Sequence, residues 1–248
     1  MTQGGKNSHV VRLELVSDEA SGVSVDDPPA SVTSSIYQEL RFDLLAGVFQ
    51  HGSRLAIRAL QERYHAGATP IREVLNRLSA EGLVRQIDQK GFRVPGFSRE
   101  ELDELVRARC LINEVLIRET IRNATDVTDE ALILAHFRMT RLSQRSATTT
   151  QPDNVLEAAH RNFHRALIAP CASPWLLDFH ERLFDQTTRY RILAIEMRPT
   201  QAGDEHRQLM DAILDRDFSR GLELANQHIR GAAALAAQAL DELPKSRA

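Results

Sequence analysis

Four of the nine histidines are spaced for joint chemistry. His160 and His164 are four apart within a stretch of helical spacing, so their rings share one face. His206 stands in Glu205-His206-Arg207 near the start of a later helical stretch. His228 follows 22 residues on, with Asp217-Phe218 between them as a turn. An antiparallel helix pair could bring all four imidazoles together inside a bundle. Clustered imidazoles suit Zn, Ni, Co or Cu rather than Ca or Mg. A lone histidine, or a pair four apart, reads more simply as a hydrogen-bonded core or surface residue, so the surrounding sequence has to decide.

The elements that must position these rings are helices. Residues 98–124, 128–146, 153–169, 174–197, 202–216 and 218–242 all carry apolar residues at helical spacing. Breaks fall at Thr125–Thr128, Ala147–Pro152, Pro170–Pro174, Pro199–Gly203 and Arg216–Asp217. The pattern predicts an all-α bundle of six or seven helices over residues 98–243.

The chain before Pro95 has another texture. Ile36, Leu40, Leu44 and Val48 mark a first helix with Ser34 or Ser35 as its cap. A second helix runs from about Ile57 to Tyr64. A third opens at Pro70 with Thr69 as cap, and carries Ile71, Val74, Leu75 and Leu78 as its apolar stripe. Strands Leu83–Ile87 and Phe92–Val94 then form a hairpin around Asp88-Gln89-Lys90-Gly91. Three helices and a hairpin within residues 31–96 describe a winged helix-turn-helix, although such units also serve as protein docking modules. Residues 31–97 hold nine Lys/Arg against six Asp/Glu, whereas the whole chain carries a net charge of −3. The basic section points weakly to a polyanion there. Residues 1–30, with Gly4-Gly5 and Pro28-Pro29, read as a disordered leader.

Composition excludes several classes. With 42% hydrophobic and 26% charged residues in 248, wholesale disorder is ruled out. No apolar run approaches the ~20 residues of a membrane span. The N-terminus lacks the apolar stretch of a secretory signal. Cys110 and Cys171 have no CxxC spacing, consistent with a reduced, cytoplasmic protein.

The stretches Tyr64-His-Ala-Gly-Ala-Thr-Pro-Ile-Arg-Glu-Val-Leu, Glu81-Gly-Leu-Val84 and Lys90-Gly-Phe-Arg-Val94 resemble the GntR family of bacterial transcription regulators across residues 34–95. The resemblance implies double-stranded DNA as partner. Arg58 matches a position this family uses for DNA. Arg72 lies one turn into the recognition helix, where its guanidinium can fork onto guanine or grip phosphate. Thr69 and the free amides of that helix suit a phosphate, and Lys90 at the wing tip can reach the minor groove or backbone. Many members carry Ser-Arg before Thr-Pro where this chain has Gly67-Ala68, so its operator preference should differ.

The second half, from His160-Arg-Asn-Phe-His164 through Glu205-His206 to His228, resembles the FCD effector domain of the FadR branch. In that domain an acidic residue and three histidines bind a metal. His164, His206 and His228 match the histidines here, and His160 occupies the acidic position, giving an all-histidine set. That set favours a divalent transition metal, zinc foremost with nickel or cobalt as alternates, over hard ions such as manganese. Arg109 matches an arginine that FCD domains point into the same cavity. A guanidinium beside an open metal position makes a carboxylate receptor. Arg191, in Thr-Arg-Tyr-Arg, is the candidate for a second carboxylate; Arg189 points to another helix side. The tract Pro170-Cys-Ala-Ser-Pro-Trp-Leu-Leu is nearest the carbon-starvation and glutarate-responsive repressors, implying a small dicarboxylic or hydroxy acid. The expectation is a carboxylate-responsive repressor binding a palindromic operator as a homodimer. A metal-responsive regulator and a metal-dependent enzyme are the alternatives; no general base supports the enzyme.

Overall fold

The computed structural model describes residues 31–146, 154–194 and 202–243. The expected leader over residues 1–30, and the last residues expected in the 174–197 helix, lie outside them.

The N-terminal part opens with α1 (Val32–Leu45), β1 (Arg54–Leu55), α2 (Ile57–Tyr64) and α3 (Ala68–Ala80). The hairpin β2 (Arg85–Ile87) and β3 (Gly91–Arg93) follows. Several boundaries differ from expectation: α1 ends at Leu45 before Val48, and the strands run Arg85–Ile87 and Gly91–Arg93 instead of Leu83–Ile87 and Phe92–Val94. Ser31, not Ser34 or Ser35, caps α1, its Oγ accepting from the Ser34 amide at 3.2 Å. Helix α3 starts at Ala68 after Gly67, so Thr69 is inside the first turn and makes no cap. Proline is tolerated anywhere in that turn because none of its amides has a helical partner, so Pro70 does not fix the start. Strand β1 was not expected; two residues are too few to carry a periodic signal. The sheet has order β1-β3-β2, antiparallel, with β3 central. Leu40, Leu60, Ile71, Leu75 and Leu78 are essentially inaccessible and form its core. Asp43 locks α2 onto α1 by accepting from the Tyr64 hydroxyl at 2.7 Å and from Arg63 at 2.9 Å.

The remaining helices are α4 (Arg99–Asn123), α5 (Asp126–Ser146), α6 (Asn154–Ile168), α7 (Pro174–Leu193), α8 (Ala202–Leu214) and α9 (Phe218–Glu242). Ser98 caps α4 and Asp217 caps α9, each accepting a backbone amide three residues on. Helices α4 and α9 make the most extensive packing in the bundle. Gly221 permits the approach of α9 to α8 and α4: a Cβ there would stand 3.1 Å from Ile213 Cδ1 and 3.6 Å from Ile117 Cγ2. Arg216, with φ +59°, turns the chain between α8 and α9, and its guanidinium grips both oxygens of Asp129 at 3.1 and 2.7 Å.

Where the two parts meet, the His51 ring packs on Phe97 at a 45° tilt with centroids 3.8 Å apart. Burial, reinforced by the Arg189 charge, pulls the His51 pKa down to about 4. The folded state therefore holds this imidazole neutral while the unfolded chain takes up a proton near pH 6.5. Its contribution to stability is present above pH 6.5 and is lost as pH falls towards 4. His51→Gln should accordingly show a shallower fall in melting temperature over that window than the parent chain. Parallel melting curves would show whether His51 is the neutral group, and an unchanged slope would mean it is not.

Candidate metal and effector site

Helices α6, α8 and α9 each present histidine to the same point. On α6, His160 and His164 share the face that buries Phe163 and Leu167. His206 sits early in α8 ahead of Leu209 and Ile213, and His228 precedes buried Ile229 on α9. The expected antiparallel pairing of α8 and α9 brings the last two rings to 4.6 Å between centroids. One ring nitrogen from each of the four histidines lies within 4.8 Å of all the others, and the His160 and His164 Nε2 atoms are 3.2 Å apart. A tetrahedral ion with nitrogen at ~2.0–2.1 Å separates its ligand atoms by about 3.4 Å, so the set needs only a small contraction to close on one. Burial first, then the neighbouring imidazoles, hold the His164 pKa well below 6.5 and keep it the neutral ring a metal requires. Glu205 is within 2.9 Å of His228 Nδ1, which orients the ring and leaves its Nε2 facing the cluster. These residues fit a divalent transition metal. The spacing of the histidines pointed to all four, whereas Glu205 was legible only as a neighbour of His206.

Arg109, from α4, reaches the same place. It is 9% exposed, and its Nη1 donates to Thr187 Oγ1 at 2.8 Å. Its Nε has no hydrogen-bond partner. Among the described residues no carboxylate lies within ion-pair distance of it, and burial pulls its pKa down to about 10. Phe184 of α7 packs against both, its ring centroid 5.3 Å from the Arg109 guanidinium carbon and 5.3 and 5.9 Å from the His164 and His160 rings. Arg109, His160, His164, Thr187 and His228 line one cavity of ≈ 30 Å³. On its other side Arg109 joins Asn113, His164 and His180 around one of ≈ 20 Å³. Each has room for roughly one or two waters. His180 gave no signal in the sequence; burial, aided by Arg109, lowers its pKa to about 3, and its Nδ1 is unpartnered. Asn113 donates to Asn226 Oδ1 at 3.1 Å.

Arg191 lines the larger cavity, but its guanidinium is ion-paired with Glu157 of α6. It therefore reaches the site already bearing a carboxylate, which residue spacing along the chain cannot reveal. Arg189 faces elsewhere, donating to the Pro95 and Gly96 carbonyls. In the N-terminal part Arg58, Thr69, Arg72 and Lys90 are all exposed; Arg58 pairs with Glu62 at 3.3 Å. Arg63 and Arg77 are exposed, and their guanidinium carbons lie over the Phe49 and Tyr37 rings at 5.6 and 3.7 Å from the centroids.

The architecture is a winged helix-turn-helix joined to a helical domain with a buried polar core. Residues 32–94 match the model of the bacterial regulatory proteins of the gntR family, and residues 104–231 match the FCD domain. The chain is 34% identical over 200 residues to the HTH-type transcriptional repressor GlaR of Escherichia coli, covering 78% of this chain and 90% of that protein. It is also 34% identical over 234 residues to the HTH-type regulator BphR of Paraburkholderia xenovorans, covering 91% and 95%. Among solved structures, E. coli McbR/YncC superposes with a TM-score of 0.71 at 19% identity, over 84% of this chain and 98% of that one. The chain belongs to the GntR family of bacterial transcription regulators and carries an FCD domain. The family is one of regulators, so the enzyme alternative falls. No described helix is long and apolar enough to cross a membrane.

A buried guanidinium without an anion is costly, since its lost hydration is not repaid by a partner. Arg109→Met should therefore stabilise the metal-free protein. Denaturant unfolding of metal-free protein checks this, and a loss of stability would show that Arg109 is structurally compensated.

Proposed function

We propose that this regulator is a repressor whose DNA affinity is set by a small carboxylate held jointly by Arg109 and a transition metal. Arg109, with no carboxylate within ion-pair distance among the described residues, is the observation that carries the reading. His160, His164, His206 and His228 would hold the metal, with zinc favoured by an all-imidazole set and nickel or cobalt as alternates. Bound there, the metal would act as a Lewis acid for one carboxylate oxygen by expanding from four ligands to five. Arg109 would fork onto the acid and fix its orientation, with Thr187 holding the guanidinium in place. Arg191 would contact the acid only after parting from Glu157, and so serves an acid with a second carboxylate. The 34% identity to the repressor GlaR supports repression.

The N-terminal part would read a palindromic operator in the cytoplasm through Arg72, with Arg58, Thr69 and Lys90 on the phosphates and the wing. Two half-sites require a homodimer. Exposed apolar side chains on the packed helices α4 and α7 suit that role: Leu111, Val115, Trp175 and Phe179. The second reading, in which the metal itself is the signal, draws support from the small cavities, which leave little room for an organic ligand without movement.

Elemental analysis paired with melting curves tests both readings. Protein as purified should carry roughly one transition-metal ion per chain, and His164→Ala should lose it. A screen of acetate, succinate, glutarate and citrate should find an acid that raises the melting temperature by about 5–10 °C near 100 Kd. Arg109→Met should abolish that rise while keeping the metal. Metal with no acid response would leave the metal-sensing reading, and no metal would overturn both.

For DNA, Arg72→Ala should weaken binding to a selected operator by roughly 5- to 150-fold, corresponding to one lost base contact of about 1–3 kcal/mol. Mobility-shift titration measures this, and unchanged affinity would remove Arg72 from the interface.

A further inference from the structure

Helix α7 has two working faces. Phe184 and Thr187 turn inward, against the imidazole cluster and Arg109. Their neighbours hold the winged helix. Asp185 accepts from Arg41 of α1 through one oxygen and from Arg161 of α6 through the other. Gln186 Nε2 donates to the Glu81 carbonyl at the end of α3, at 3.0 Å. That contact relies on Gly82, whose φ is +78° and where a Cβ would stand 2.9 Å from the same amide nitrogen. Arg189 donates to the Pro95 and Gly96 carbonyls of the linker at 3.1 and 3.0 Å. Three positions within five residues of α7 thus fasten α1, α3 and the linker.

Asp185 differs from the other two because its second arm returns to the ligand-bearing helix. Arg161 directly follows His160, and it is held on the α7 side also by Glu181 at 2.7 Å. The side chains of Arg41, Arg161 and Asp185 are 16%, 13% and 10% exposed, so water screens the joint weakly. Beside it opens a cleft of ≈ 580 Å³ between the winged helix and α6–α7, into which α1 can shift. The core cavities, by contrast, are only ≈ 30 and ≈ 20 Å³, and the contraction of the four imidazoles onto an ion would pull on α6 at His160, next to Arg161.

We propose that Asp185, bridging Arg161 and Arg41, is the joint through which occupancy of the bundle core sets the position of the winged helix. The inference rests on the histidine cluster taking a metal. A small rotation of α6 carries Arg161 with it, and a carboxylate shared by two guanidiniums cannot follow one without loosening or moving the other. The signal thereby reaches α1 directly, without passing along the linker alone.

Amide hydrogen exchange on the full chain, stripped with EDTA or loaded with zinc, tests this. Two variants are compared with the parent: Asp185→Asn, which removes the joint, and Arg41→Gln, which cuts only the arm to the winged helix and leaves Arg161 paired. In the parent, zinc should slow exchange across α6 and change exchange across α1 by at least about threefold. In Arg41→Gln and Asp185→Asn the α6 response should persist while the α1 response disappears. An α1 response equal to the parent's in both variants overturns the joint, as does a parent in which zinc protects α6 and leaves α1 unchanged. If zinc protects α6 in none of the proteins, the metal reading itself fails and the joint fails with it. Should Asp185→Asn misfold, Arg41→Gln carries the test alone, because its substitution lies outside the bundle.

Discussion

Four imidazoles and a guanidinium share the centre of a helical bundle, and the packing around them must answer for that. In a medium of low dielectric, burial first and then the neighbouring rings and Arg109 hold the His164 pKa well below 6.5. Imidazoles converging on one point could hold a metal ion, and the buried guanidinium beside them has no carboxylate within ion-pair distance among the described residues. Helices α6, α8 and α9 supply the rings, α4 the guanidinium, and α7 the phenyl ring and the hydroxyl that hold it. Phe163, Leu209, Ile213, Ala225 and Ile229 make the surrounding wall apolar.

Much of the remaining structure can be understood as keeping that centre connected to the DNA-reading part. The winged helix has its own core, built from Leu40, Leu60, Ile71, Leu75 and Leu78, and does not depend on the bundle for it. Its attachment is instead polar: a carboxylate, an amide and a guanidinium on α7, with His51 packed on Phe97 at the linker. Polar fastenings of this kind depend on angle and distance more steeply than apolar contact does. They therefore break or re-form over displacements that an apolar interface would absorb.

The parts of this design that repeat were legible in the sequence. Helices with apolar residues at sustained helical spacing appear where the pattern put them, and the four histidines converge because their spacing matched one helix face and one antiparallel pair. The parts that depend on distant partners were not legible. Arg191 meets Glu157, which is 34 residues earlier, and Asp185 meets Arg41, 144 residues earlier. Nothing local to those residues encodes either contact. Strand β1 is too short for a period to register. Thr69-Pro70 resembles a helix start because proline is acceptable at several positions of a first turn, so the signal identifies the turn and leaves its first residue open.

The central claim is that the bundle core is a nitrogen-ligated metal site with Arg109 waiting beside it for an anion. X-ray absorption at the zinc edge of zinc-loaded protein tests it most directly. The account predicts a first shell of imidazole nitrogen at about 2.0–2.1 Å, with the outer-ring scattering of at least three histidines. It also predicts an added oxygen when the stabilising acid is supplied. A sulfur shell near ~2.3 Å, or a shell of water oxygen with no imidazole pattern, would contradict it and return the four rings to ordinary packing.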